Sequence, residues 1–133
     1  MIVTASKTAF SDQKHRALLE KVNPAVGVDC LAGTIQRDMN ALYEVHADGL
    51  LLGIFVSRIE RLIDGSKELV ILHGSAAEKI PFPFTSVLNR VWDQVAKDNG
   101  LNSIRVHSDK RGLDRILEKN KYEFQEAVYR KAL

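Results

Sequence analysis

The sequence predicts an α/β (α+β) protein built on a mixed, mostly antiparallel sheet flanked by helices. Three observations carry that prediction. "ALYEVHA" (Ala41–Ala47) alternates, and Asp48-Gly49 and Asp64-Gly65 separate it from two further apolar runs, so three strands form an antiparallel meander. Phe84, Val87, Leu88, Val91 and Val95 recur at helical spacing, with Trp92 at the edge of the stripe. The segment from Glu68 to His107 reads strand–helix–strand, and a crossover of that length makes its two strands parallel and the connection right-handed.

Taken in order, "MIVT" (Met1–Thr4) is a short first strand. Ser11 stands at the N-cap of a helix, with Phe10 before it as a staple residue and His15, Leu18, Leu19 and Val22 along its stripe. Asn23-Pro24 ends that helix, because Pro24 disfavours a helical Asn23. Ala25–Asn40 reads as a loop with a short helical turn. The meander strands are Ala41–Ala47, Leu50–Leu62 and Glu68–Gly74; in the first, Tyr43, Val45 and Ala47 share one face and Glu44 and His46 the other. The central helix stops at Asn99-Gly100. "IRVH" (Ile104–His107) is a strand, Ser108 or Asp109 caps a helix carrying Leu113, Ile116 and Leu117, and "FQEAVYRKAL" (Phe124–Leu133) closes as a strand.

A chain of 133 residues suits one domain, residues 1–133, with one core. Its 19 basic and 17 acidic residues are too balanced to suggest a nucleic-acid binder. One cysteine, Cys30, excludes an internal disulfide, offers no metal-ligand spacing and points to a reducing, cytoplasmic setting. "MIVTASKTAF" is too short and polar for a signal peptide, and no apolar run approaches the roughly 20 residues of a membrane helix.

The order strand, helix, loop, three antiparallel strands, helix, strand, helix, strand resembles the GNAT N-acetyltransferase superfamily over nearly the whole chain. "ILEKNKY" (Ile116–Tyr122) falls in register with that family's Leu-Tyr-Glu-Lys stretch and the Gly-Phe after it. The resemblance implies a fourth strand splayed from the fifth, with the pantetheine arm of acetyl-CoA in the gap beside Leu72. It also implies a pyrophosphate held by backbone amides at the start of the central helix, where unpaired N–H groups and a partial positive charge meet an anion.

The cofactor loop is where the sequence departs from the family. The family has Arg or Gln, two spacers, Gly, one spacer, then Gly or Ala. Lys79 falls at the basic position, Phe82 at the first glycine and Phe84 at the second small residue, while Pro81 and Pro83 donate no N–H. The amides of Thr85 and Ser86 remain to face an anion, with Lys110, where the family often has Asn, as a further phosphate contact. Alternatively "PFPF" is a rigid apolar plug, packed in the core or across the strand gap with Pro83 starting the helix, or Phe82 and Phe84 form a contact patch for a protein partner.

The family's acid, a tyrosine on the fourth helix, is matched here by Leu117; Tyr122 matches a packing aromatic, and Tyr129, on the candidate closing strand, is a candidate substitute. Candidate bases are His73 and Glu44, with His46 beside them. His73, sharing a face with Leu69 and Ile71, reads equally as a half-buried histidine with a satisfied partner. Glu44 and His46 are a pair or the wet side of the sheet. Cys30 reads as a buried or idle thiol rather than a nucleophile. Arg58, Arg61, Lys110, Arg111 and Arg115 are interleaved with Glu60, Asp109 and Asp114, which reads as a solvated surface or as an adenosine-phosphate contact. Two functions follow: an acyl-CoA-dependent N-acyltransferase acting on a small-molecule or protein amine, or a non-catalytic module of the same fold in a larger assembly, with no cofactor.

Overall fold

The computed structural model describes residues 2–21, 27–77, 80, 82–107, 114–123, 125, 129 and 131–133, with only the backbone of 114–116. Its elements are β1 (Val3–Thr8), α1 (Asp12–Glu20), α2 (Val28–Gln36), β2 (Ala41–Ala47), β3 (Leu50–Arg61), β4 (Lys67–Ala76), α3 (Phe84–Asp98), β5 (Ser103–Val106) and α4 (Asp114–Lys119). The sheet has five strands in the order β1-β2-β3-β4-β5. All neighbours are antiparallel except β4 and β5, which are parallel.

The turns follow from their residues. Asp48 and Gly49 both adopt positive φ (52° and 77°), the two-residue turn whose twist matches an antiparallel pair. Gly65 has φ 87°, and the Asp64 carboxylate accepts from the Ser66 N–H and hydroxyl. α3 ends in a Schellman motif: Gly100, at φ 65°, donates to Lys97 O, and Leu101 donates to Ala96 O.

The sheet separates two cores. On one face Phe84, Val87, Leu88, Val91, Trp92, Val95 and Ala96 of α3 pack on Val45, Phe55, Leu69 and Ile71. On the other, Leu18 and Leu19 of α1 and Leu31 and Ile35 of α2 pack on Leu42, Ile54 and Val56. The face assignment for β2 holds: Tyr43, Val45 and Ala47 go to α3 and Leu42 to the other side.

Four expectations need correction. The first strand is Val3–Thr8, not Met1–Thr4; Val3 and Ala5 reach the core, but Lys7 stands at the next position on that face and cuts the apolar alternation short. Residues 25–40 hold a nine-residue helix rather than a loop with one turn. α1 has Ser11 at its N-cap, but the hydroxyl makes no cap bond. In the closing stretch Gln125, Tyr129 and Lys131–Leu133 form no strand, and its other residues lie outside the described set. Val22, Asn23-Pro24, and Ser108 and Asp109 also fall outside it.

Candidate active site

The site begins with one extra residue. Val56 pairs with His73 and Ser57 with Ile71, so Leu72 has no opposite number on β3. This β-bulge bends β4 and raises its local twist. The β4–β5 ladder runs from Glu68↔Ser103 to Ile71↔Val106 and closes with His107 N–H donating to Ile71 O at 3.0 Å. Past that point β4 continues to Ala76 paired with β3 alone among the described residues. Among the described residues, the side of β4 that faces β5 is therefore unpaired from the bulge onward.

α3 lies over the end of that half-strand. A Cβ at Gly74 would sit 3.4 Å from Leu88 Cδ1. Phe84, 9% exposed, rests its ring on Gly53 of β3 beside Ser75 O. The ring at the family's second small position thus fills space over β3, not the gap between β4 and β5. Phe82 is half-buried against the same core, so neither ring is a surface patch. Pro83 is the N-cap of α3, with φ −63° and ψ 123°. The Ser86 N–H (3.3 Å) and hydroxyl (2.7 Å) both donate to Pro83 O. Thr85 is half-buried, and its carbonyl accepts from Asn89 Nδ2 at 3.0 Å. Lys79, Pro81, Lys110 and Arg111 lie outside the described residues, as does the side chain of Arg115.

This architecture has counterparts among solved structures. A ribosomal-protein-alanine N-acetyltransferase from Brucella melitensis superposes with a TM-score of 0.72 at 13% identity, covering 98% of this chain and 100% of its own. A glucosamine-6-phosphate N-acetyltransferase from Arabidopsis thaliana gives 0.67 at 14%, covering 99% of each chain. An aminoglycoside N-acetyltransferase in complex with CoA gives 0.70 at 14%, covering 99% and 96%. The chain has the GNAT N-acetyltransferase fold. No family model matches its sequence, and no curated protein does.

On the GNAT sheet the two candidate bases occupy one face. His73 stands opposite Val56, whose side chain is in the α1/α2 core, so His73 faces α1 and α2. This corrects the expectation that it shares a face with Leu69 and Ile71: the bulge puts Leu72 and His73 on the same side and returns Gly74 to the α3 side. Glu44 is opposite Ile54, which is opposite Ser75. β3 therefore separates Glu44 from β4, about 10 Å across two strand spacings.

Glu44 is neither paired with His46 nor on a wet surface. Its Oε2 lies 2.8 Å from Nε2 of His15, a residue of α1 that is 0% exposed. The Ser11 N–H donates to His15 Nδ1 at 2.9 Å, so Nδ1 is the acceptor and Nε2 carries the proton that goes to Glu44. The ring thereby makes the return half of a capping box, accepting the N-cap N–H, while the Ser11 hydroxyl makes no cap bond, and Phe10 lies 6.1 Å away as the staple.

Leu117 packs against the α3-side core, so the family's hydroxyl is absent at that position. Tyr122 is half-buried; burial and the nearby Asp93 carboxylate raise its pKa to about 12, as befits a packing residue. Tyr129, 92% exposed, is not drawn in as a substitute. Cys30 is exposed on α2, not buried. Arg58 pairs with Glu60, and Arg105 reaches Glu60 and Glu68, a solvated network across β3, β4 and β5. Among the described residues no cluster of metal-ligating side chains occurs and no helix is long and apolar enough to cross a membrane. Sequence reasoning passed over His107 and the partner role of His15. His107 looked like the tail of a strand, although its spacing from Arg105 put the two on one face.

Proposed function

We propose that the protein is an acyl-CoA-dependent N-acyltransferase, with acetyl-CoA as donor and an amine as acceptor. The carrying observation is that the β4–β5 ladder ends at Ile71, beside the bulge at Leu72, and that beyond it no described residue pairs with the β5 side of β4, next to the start of α3. Three structurally similar proteins named for amine acetylation, one of them in complex with CoA, support the same reading.

The residues present fit such a donor in part. The gap, with Leu72 at its inner end, would take an extended arm. The amides of Phe84 and Thr85 open α3 and, with Lys79 and Lys110, would face the phosphates, whereas the Ser86 N–H expected beside them is taken by Pro83 O. With phosphates at the start of α3 and the arm along β4, the thioester would lie at the vertex, next to Leu72 and His73. A bound thioester supplies an activated acyl carbon; the chain's own part is to orient it and to move protons. His73 is the acceptor of the amine proton, while Glu44 orders α1 through His15 at two strands' remove.

A second reading, a module of the same fold without a cofactor, is favoured by one specific observation. Pro83 offers no N–H, and Ser86 turns both donors to Pro83 O, so the helix start has fewer groups for an anion than a glycine loop would. Calorimetry and thermal shift with acetyl-CoA and free CoA separate the two readings. The acyltransferase binds with a micromolar dissociation constant, and ligand at about 100 times that constant adds roughly 2.7 kcal/mol of stability. No stabilisation at millimolar ligand leaves the module.

A further inference from the structure

The acyltransferase reading lacks a proton donor for the leaving thiolate, because Leu117 occupies the family's acid position. His107 stands where one is needed. Its N–H makes the last bond of the β4–β5 ladder, to Ile71 O. Strand alternation sets its face. Ile104 and Val106 pack on the α3-side core, whereas Ser103 and Arg105 bond Glu68 and Glu60 on the opposite face. His107 comes next on the Arg105 side, and it is exposed. His73 faces the same side, brought there by the bulge. The two histidines thus flank the vertex, one from each strand, on the α1/α2 side of the sheet.

Several charged groups near that face, among the described residues, have partners: Arg105 bridges Glu60 and Glu68, Glu44 is tied to His15, and Lys21 donates to Ala76 O at the far end of β4. We propose that His107 donates the proton to the thiolate leaving group while His73 accepts one from the amine; this rests on the acyl-CoA reading. The amine nitrogen bonds the acyl carbon as its proton passes to His73. The carbon–sulfur bond breaks, sulfur keeps the electron pair, and the thiolate takes its proton from the His107 imidazolium. One proton is taken up and one released, so exchange with solvent restores both rings.

CoA itself is the probe, with desulfo-CoA, which lacks the sulfur, beside it. The ring resonances of His107 are assigned by comparing the native protein with His107→Gln, and are followed by NMR as each ligand is added. His107→Gln alters an exposed residue and leaves the thermal midpoint nearly unchanged. A ring beside the sulfur shifts when CoA binds and shifts far less with desulfo-CoA. Unmoved His107 resonances at saturating CoA overturn the donor role and leave the acyl-CoA reading standing. Failure of the native protein to bind CoA overturns both.

Discussion

A methyl group added to Gly53 would lie 2.4 Å from Ser75 O and 2.5 Å from Phe84 Cζ. One contact is a backbone carbonyl in a paired strand, and the other is a ring wedged under α3; neither gives way cheaply. Gly53 and Phe84 therefore form a complementary pair, in which a bulky ring at the head of α3 is housed by a missing side chain on β3. Gly53→Ala should cost about 1–3 kcal/mol through overpacking, read as a fall in thermal midpoint. Gly74→Ala is the control. Its Cβ would meet Leu88 Cδ1 at 3.4 Å and Ile54 O at 4.0 Å, both ordinary contacts, and should leave the midpoint nearly unchanged. Nothing in "PFPF" by itself told a plug of the core from a plug of the gap. Phe84 was legible as apolar and helical, but its partner lies 31 positions earlier, as the numbers 53 and 84 give. A glycine in a strand reads as a weakness or a bend until the other half of the contact is known.

Helices α1 and α2 show which kinds of element a sequence announces. α1 carried its stripe and its N-cap residue, and both were readable. α2 has the same spacing in Val28, Leu31, Ala32 and Ile35, yet it is preceded by Gly27 at φ 79° and interrupted by Gly33. Glycine at those positions lowers local helix propensity, and tertiary burial against Leu42, Ile54 and Val56 overrides it. The link between α1 and the sheet was invisible, since His15 and Glu44 belong to elements 29 residues apart. That link predicts an asymmetry. His15→Ala removes the ring that receives the Ser11 N–H, opens a cavity and leaves the half-buried Glu44 carboxylate without its donor, at a cost of roughly 2–4 kcal/mol. Glu44→Gln keeps an amide oxygen to accept from Nε2 and should cost less than about 1.5 kcal/mol. Denaturant midpoints of the two variants test this, and equal losses would mean that His15 acts through Glu44 alone.

Across the molecule, the sheet order was readable because its pairs are local: two tight turns set β2, β3 and β4, and one helical crossover sets β5 beside β4. The opening between β4 and β5 was not readable from these residues, because a bulge is a count mismatch between two strands and "ELVILHG" shows no trace of it. Only the resemblance supplied the expectation of a splay. The bulge also takes up Leu72 without changing the pairing after it: His73 stays opposite Val56 and Gly74 opposite Phe55. Removing Leu72 restores one-to-one pairing with β3 and extends the regular part of β4, with His73 still toward α1 and α2 and Gly74 still toward α3. Leu72→Ala changes packing against the α1/α2 core but keeps the count. The substitution should therefore cost about 1–2 kcal/mol and retain the stabilisation by CoA. The deletion should abolish that stabilisation while circular dichroism still reports a folded sheet and helices, although with a lower midpoint. If the deletion variant folds and is stabilised by CoA as strongly as the native chain, the gap does not depend on the bulge, and the site lies elsewhere on the sheet.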